Sequence, residues 1–158
     1  MENLKKMLIP EAIEHATRMR NVAIVGVEEK GTAFVLMKGL LDRGYFVHPV
    51  NPDVVDTQIH GRDVYSSLLE IEGIVELVYL HIENDGIEYW MNELSERMET
   101  RADIEAIWFD SEIELGKAVK DVNDFGWMLV LECSLLSEVI ERNIDFQLED
   151  AVNEVHPS

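Results

Sequence analysis

Four nearly unbroken apolar runs constrain this chain most: "NVAIVG" (21–26), "VELVYLHI" (75–82), "IEAIWF" (104–109) and "WMLVLE" (127–132). None shows the in–out alternation of a strand with one wet face, so each reads as a strand covered on both faces. Segments with helical spacing lie between them. "TAFVLMKGLLDRG" (32–44) places Phe34, Leu36, Met37, Leu40 and Leu41 on one stripe and stops at Gly44. "NDGIEYWMNELSERM" (84–98) predicts a helix capped by Asn84 or Asp85, with Ile87, Trp90, Met91 and Leu94 facing a core or an interface. "SEIELGKAVKDVNDFG" (111–126) predicts another, with Ser111 as cap and Gly126 as stop, and "CSLLSEVIERN" (133–143) the last. "YFVHPVNP" (45–52) is a further strand closed by an Asn-Pro turn, and "VYSSLLEI" (64–71) a short strand or turn followed by a little helix.

Strands alternating with such helices predict an α/β fold: a doubly wound, mostly parallel, Rossmann-like sheet of five to six strands. Residues 1–158 read as a single domain. Residues 1–19 read as an N-terminal helical extension, with Leu4, Met7, Leu8, Ala12, Ile13 and Ala16 on a stripe interrupted at Pro10. Residues 144–158 read as an acidic tail that packs loosely.

Charge narrows the function. Acids outnumber bases 32 to 13, a formal net charge of -19. That field repels nucleic acid and anionic lipid, and it opposes any anionic ligand unless local donors overcome it. The single cysteine, Cys133, excludes an internal disulfide and a cysteine-built metal site, and fits a reducing cytoplasm. Neither a signal peptide nor a membrane span is apparent in the sequence.

In a doubly wound sheet, ligands bind beyond the strand C-termini where strand order reverses. The first strand normally lies there, so the loop from Gly26 to Ala33 is the first candidate. The next helix starts near Thr32, and its free N–H groups would face an anion. The dinucleotide fingerprint needs glycine at position 28, where Glu28 stands, and Asn51-Pro52 replaces the acid that binds ribose. A P-loop would have Gly26 and Gly31 at the right spacing, but Thr32 holds the lysine position. Neither motif is met.

The ordered set "VAIVG", Gly44-Tyr45, Val50-Asn51-Pro52, "VYSSL", "VELVYL", "AIWF" and Cys133 resembles the CoA-binding domain family. These are standalone Rossmann-like proteins related to the N-terminal domain of the succinyl-CoA synthetase alpha subunit. The resemblance spans roughly residues 20–141. It implies CoA or an acyl-CoA laid across the strand ends. The pyrophosphate would meet Gly26, Val27, Glu28, Lys30, Gly31, Thr32 and Ala33. Adenosine would lie near Asn51 and Pro52, with a further contact from His81 and Ile82. In this phosphate loop Glu28 stands where members commonly carry serine, and the loop is shorter than usual. Like charges 4 Å apart repel by about 4 kcal/mol at an effective dielectric near 20, enough to cancel several hydrogen bonds of ~1 kcal/mol. The acidic loop weakens the expected site.

Other residues add less. His48 alternates with strand core residues and reads as structural. Cys133, at a predicted helix start, has the position of an activated thiol, set against the commoner inert buried cysteine. Scattered histidines form no metal-ligand spacing, and no catalytic triad is legible. The reading is noncatalytic binding of CoA or an acyl-CoA by a sensor or carrier. The alternative is a scaffold of the same family that has lost its ligand and serves as a protein-interaction or regulatory module. A homodimer through an exposed apolar helix face, or another protein partner, is the expected kind of assembly.

Overall fold

The structure, a computed structural model, describes residues 10–155. Leu4, Met7 and Leu8 of the N-terminal stripe lie outside the described residues. Residues 10–16 are helical (α1) and bury Ala12, Ile13 and Ala16. The chain then runs β1 (Asn21–Val25), α2 (Thr32–Asp42), β2 (Phe46–Val50), a hairpin of β3 (Gln58–Ile59) and β4 (Arg62–Asp63), and β5 (Leu77–Leu80). It continues through α3 (Ile87–Thr100), β6 (Ala106–Phe109), α4 (Ala118–Phe125), β7 (Met128–Leu131), α5 (Leu135–Glu141) and α6 (Phe146–Val155).

Five strands form one sheet in the order β2-β1-β5-β6-β7, every neighbouring pair parallel. The doubly wound architecture expected from the apolar runs is present. Successive strand residues feed opposite cores. Val22, Ile24, Tyr79, Trp108 and Val130 pack under α1, α2 and α5. Ala23, Val25, Val78, Leu80, Ile107 and Phe109 pack under α3 and α4. Because the chain leaves β1 for β2 on one side and returns to β5 on the other, the order reverses at β1 and a crevice opens there.

Several local expectations are corrected. The helix predicted from Ser111 begins only at Ala118, because Gly116 takes φ +52° and ends any helical run before it. The Glu114 N–H instead bonds Asn84 Oδ1 at 2.8 Å. Asn84 therefore caps nothing: Asn84–Gly86 is a 3-10 turn, and α3 starts after Gly86 with no side-chain cap. Residues 146–155 form a helix where a loose tail was expected. The Phe146 N–H bonds the Arg43 carbonyl at 2.7 Å, its ring meets Tyr45 edge-on, and Arg20 pairs with Asp150 at 2.7 Å. The β3–β4 hairpin turns on His60 and Gly61, both at positive φ, the arrangement of a tight two-residue hairpin. Beyond it Tyr65 bridges to Val50, so the "VYSSL" segment covers part of the outer edge of β2 before the 3-10 turn Leu68–Glu70.

Arg97 is the main surprise in the core. It is fully buried on α3. Its guanidinium donates to the carbonyls of Leu68, Ile71 and Gly73 and to both carboxylate oxygens of Asp103. One side chain thereby satisfies a loop that would otherwise leave buried carbonyls unpaired.

Candidate functional site

The cleft follows from the register. Val50, Val25, Leu80, Phe109 and Leu131 sit side by side across the sheet. The residue after each of them, Asn51, Gly26, His81, Asp110 and Glu132, lines one cleft of about 1220 Å³. Strand spacings of about 4.8 Å make this row roughly 19 Å long, the scale of an extended nucleotide-based cofactor.

Gly26 turns the chain sharply at φ +90°, and a Cβ there would lie 2.2 Å from the His81 carbonyl oxygen. Only glycine lets the first loop pass so close to β5. The loop reaches α2 through Gly31, at φ 95° and ψ -170°, a backbone region nearly exclusive to glycine. No side chain caps α2. Its first-turn N–H groups, which have no intrahelical carbonyl to bond, open beside the cleft. Asn51 ties the β2 end to this loop, its Nδ2 donating to the Val27 carbonyl at 3.0 Å while its Oδ1 accepts from the Asp53 N–H at 2.9 Å. Asn51-Pro52 is thus first a turn, as its sequence implies.

The structure brings together Gly26, Glu28, Lys30, Gly31, Thr32, Ala33, Asn51, Pro52, His81 and Ile82 around the cleft. Val27 is not among them: its side chain is fully buried in the core beneath α2. Glu28, Glu29 and Lys30 are all exposed, and of the two glutamates only Glu28 lines the cleft.

Sequence reasoning missed the far half of the row. Tyr79 Oη donates to Asp110 Oδ2 at 2.8 Å, and His81 Nδ1 lies 2.6 Å from the same oxygen. Burial, then the Asp110 charge, pushes the Tyr79 phenol far above its ordinary range, so it remains a donor. The strand-end rule that singled out Gly26, Asn51 and His81 applies equally to Asp110 after "AIWF" and Glu132 after "WMLVL". Five carboxylates, Glu28, Asp53, Glu83, Asp110 and Glu132, line the cleft against Lys30 and His81.

Cys133 also lines it, but not as an activated thiol. The helix expected from Cys133 is α5, which starts only at Leu135 with Ser134 as cap, its Oγ accepting from the Ser137 N–H. Burial, reinforced by Glu138 and Glu132, raises the Cys133 thiol above its usual value. The Cys133 carbonyl receives the Trp108 indole N–H at 2.8 Å.

A family model described as "CoA binding domain" matches residues 20–138. The uncharacterized protein YneT of Bacillus subtilis (strain 168) is 32% identical over 80 residues, 49% of this chain and 56% of YneT. The match thus spans little more than half of that relative. Among solved structures, Prb, described as the PH1109 protein redesigned for binding, aligns with a TM-score of 0.70 and 26% identity over 82% of this chain and 87% of its own. A hypothetical protein from Pyrococcus horikoshii OT3 aligns over the same shares with a TM-score of 0.68 and 26% identity. A Thermus thermophilus protein shares the fold at 20% identity, with a TM-score of 0.68 over 85% of this chain and 95% of its own. Among the described residues, no helix is long and apolar enough to cross a membrane.

Proposed function

The chain belongs to the CoA-binding domain family across residues 20–138, and from that premise we propose that its strand-end cleft binds CoA or an acyl-CoA noncatalytically, as a sensor or carrier. The observation that carries this reading is the uncapped N-terminus of α2. It opens, behind the two conformationally special glycines, on a cleft that runs across all five strand ends. In this reading the loop from Gly26 to Ala33 meets the pyrophosphate, Lys30 adds the only lysine or arginine charge among the described residues of the cleft lining, and Asn51 and Pro52 face the adenosine.

The acidic lining favours a second reading, in which the same scaffold has lost the ligand and acts as a protein-interaction or regulatory module. Calorimetric titration with CoA, at low and moderate salt, separates the two. Micromolar binding that Lys30→Glu weakens supports the ligand. No heat and no thermal shift at millimolar CoA leaves the scaffold reading in its place.

A further inference from the structure

A second opening adjoins the cleft between the first turn of α2 and the start of α5. It has a volume of about 440 Å³ and shares Gly31, Thr32, Tyr79 and Ser134 with the cleft, so the two are continuous. Its character is opposite. Among the described residues none that lines it is charged, although charged residues make up 28% of the chain. Val35, Leu36, Leu135 and Leu136 supply an aliphatic surface. Two of the polar side chains at its border are already engaged: Tyr79 Oη donates to Asp110, and Ser134 Oγ caps α5.

Two details suit the groove to a ligand. Val35 is 57% exposed, an apolar residue that the core does not explain. Gly39 on α2 allows Leu136 of α5 to close against it, since a Cβ at Gly39 would lie 2.5 Å from Leu136 Cδ1. The two helices therefore meet closely below the groove and leave it open above, beside the cleft.

We infer that this groove receives the uncharged arm and acyl group of a CoA thioester, so that the site prefers acyl-CoA to free CoA. The inference rests on the proposed binding of CoA. In a CoA thioester, a diphosphate continues through a methylene into a geminal dimethyl carbon, then an uncharged stretch with one hydroxyl and two amides, and ends in the acyl group. An anion site at the α2 N-terminus that runs into an aliphatic groove matches that order of chemistry. A dinucleotide would instead bring a second hydroxylated ribose, for which the groove offers little.

The test is a calorimetric series with CoA, acetyl-CoA, butyryl-CoA and hexanoyl-CoA. Affinity is expected to rise two- to fourfold per methylene until the groove is filled, the upper figure being equivalent to ~0.8 kcal/mol. Val35→Asn should flatten the series, and its exposed position preserves folding, checked by thermal melt. Ile140→Asn, on the exposed surface of α5 outside the groove, should retain it. Binding of CoA with a flat series overturns the groove assignment and leaves the proposed function intact. A rise that Val35→Asn does not diminish also overturns it, because the chain then lies elsewhere. Failure of every member to bind overturns both.

Discussion

Gly26→Ala and Gly31→Ala form a matched pair that separates backbone strain from steric conflict at the candidate site. Both glycines have φ near 90°, at +90° and +95°. An alanine at either position bears a conformational cost of about 1–3 kcal/mol. At Gly31 that is the whole effect, because a Cβ there has no neighbour within 4 Å. At Gly26 the new methyl would lie 2.2 Å from the His81 carbonyl oxygen, so atoms must separate by roughly 1 Å to reach even a tight contact. The obstacle is backbone, not a side chain that can swing aside. Its neighbourhood is held by His81 N–H to Val25 O at 3.0 Å and Gly26 N–H to Val50 O at 2.8 Å. Relief means loosening one or two ladder bonds worth about 1 kcal/mol each, together with packing at the sheet centre. The expected loss is about 1–3 kcal/mol for Gly31→Ala and about 3–6 kcal/mol for Gly26→Ala. At roughly 2–4 °C per kcal/mol, the two are readily resolved by thermal melts. Equilibrium urea unfolding gives the free energies directly. Equal losses for the two variants would refute the claim that close approach to β5, rather than backbone conformation alone, requires glycine at position 26.

Arg97→Met should cost about 3–5 kcal/mol, because it strands Asp103 and the carbonyls of Leu68, Ile71 and Gly73; Arg97→Lys should not rescue it, and hydrogen exchange should show the loop before β5 opening first. Burial pushes the Asp103 carboxyl up, but bonds from Arg97 and the Val75 N–H outweigh this and hold it below its usual value. Its contribution is therefore present above pH about 4 and lost on further acidification, so Asp103→Asn should flatten the acid limb of stability against pH. Asn51→Ala removes the bonds to Val27 and Asp53; it should destabilise by about 1–3 kcal/mol and weaken CoA binding in the calorimetric assay. Cys133, with its thiol raised by burial and then by Glu138 and Glu132, should react with iodoacetamide at pH 7.5 more slowly than free cysteine.

The sheet was legible because a buried parallel strand leaves a direct trace in the sequence: "VAIV", "LVYL", "AIWF" and "MLVL" are apolar on both faces. From that trace came the doubly wound fold, the glycine turn at Gly26 and the near half of the site at Lys30, Asn51 and His81. Helix beginnings were less legible, since Ser111 and Asn84 have the chemistry of caps, yet Gly116 and a 3-10 turn decide where α4 and α3 start. α6 was misjudged as a loose tail because its anchors, Arg43, Tyr45 and Arg20, are remote in sequence. The same remoteness hid Arg97, whose partners come from a loop that precedes it by more than 20 residues. Local periodicity and propensity determine which segments become strands, because they depend on neighbours along the chain. Lateral register sets Asp110 beside His81, and the packing of α2 against α5 joins a charge-free groove to an acidic cleft, because those neighbours exist only after the sheet has closed and its helices have docked.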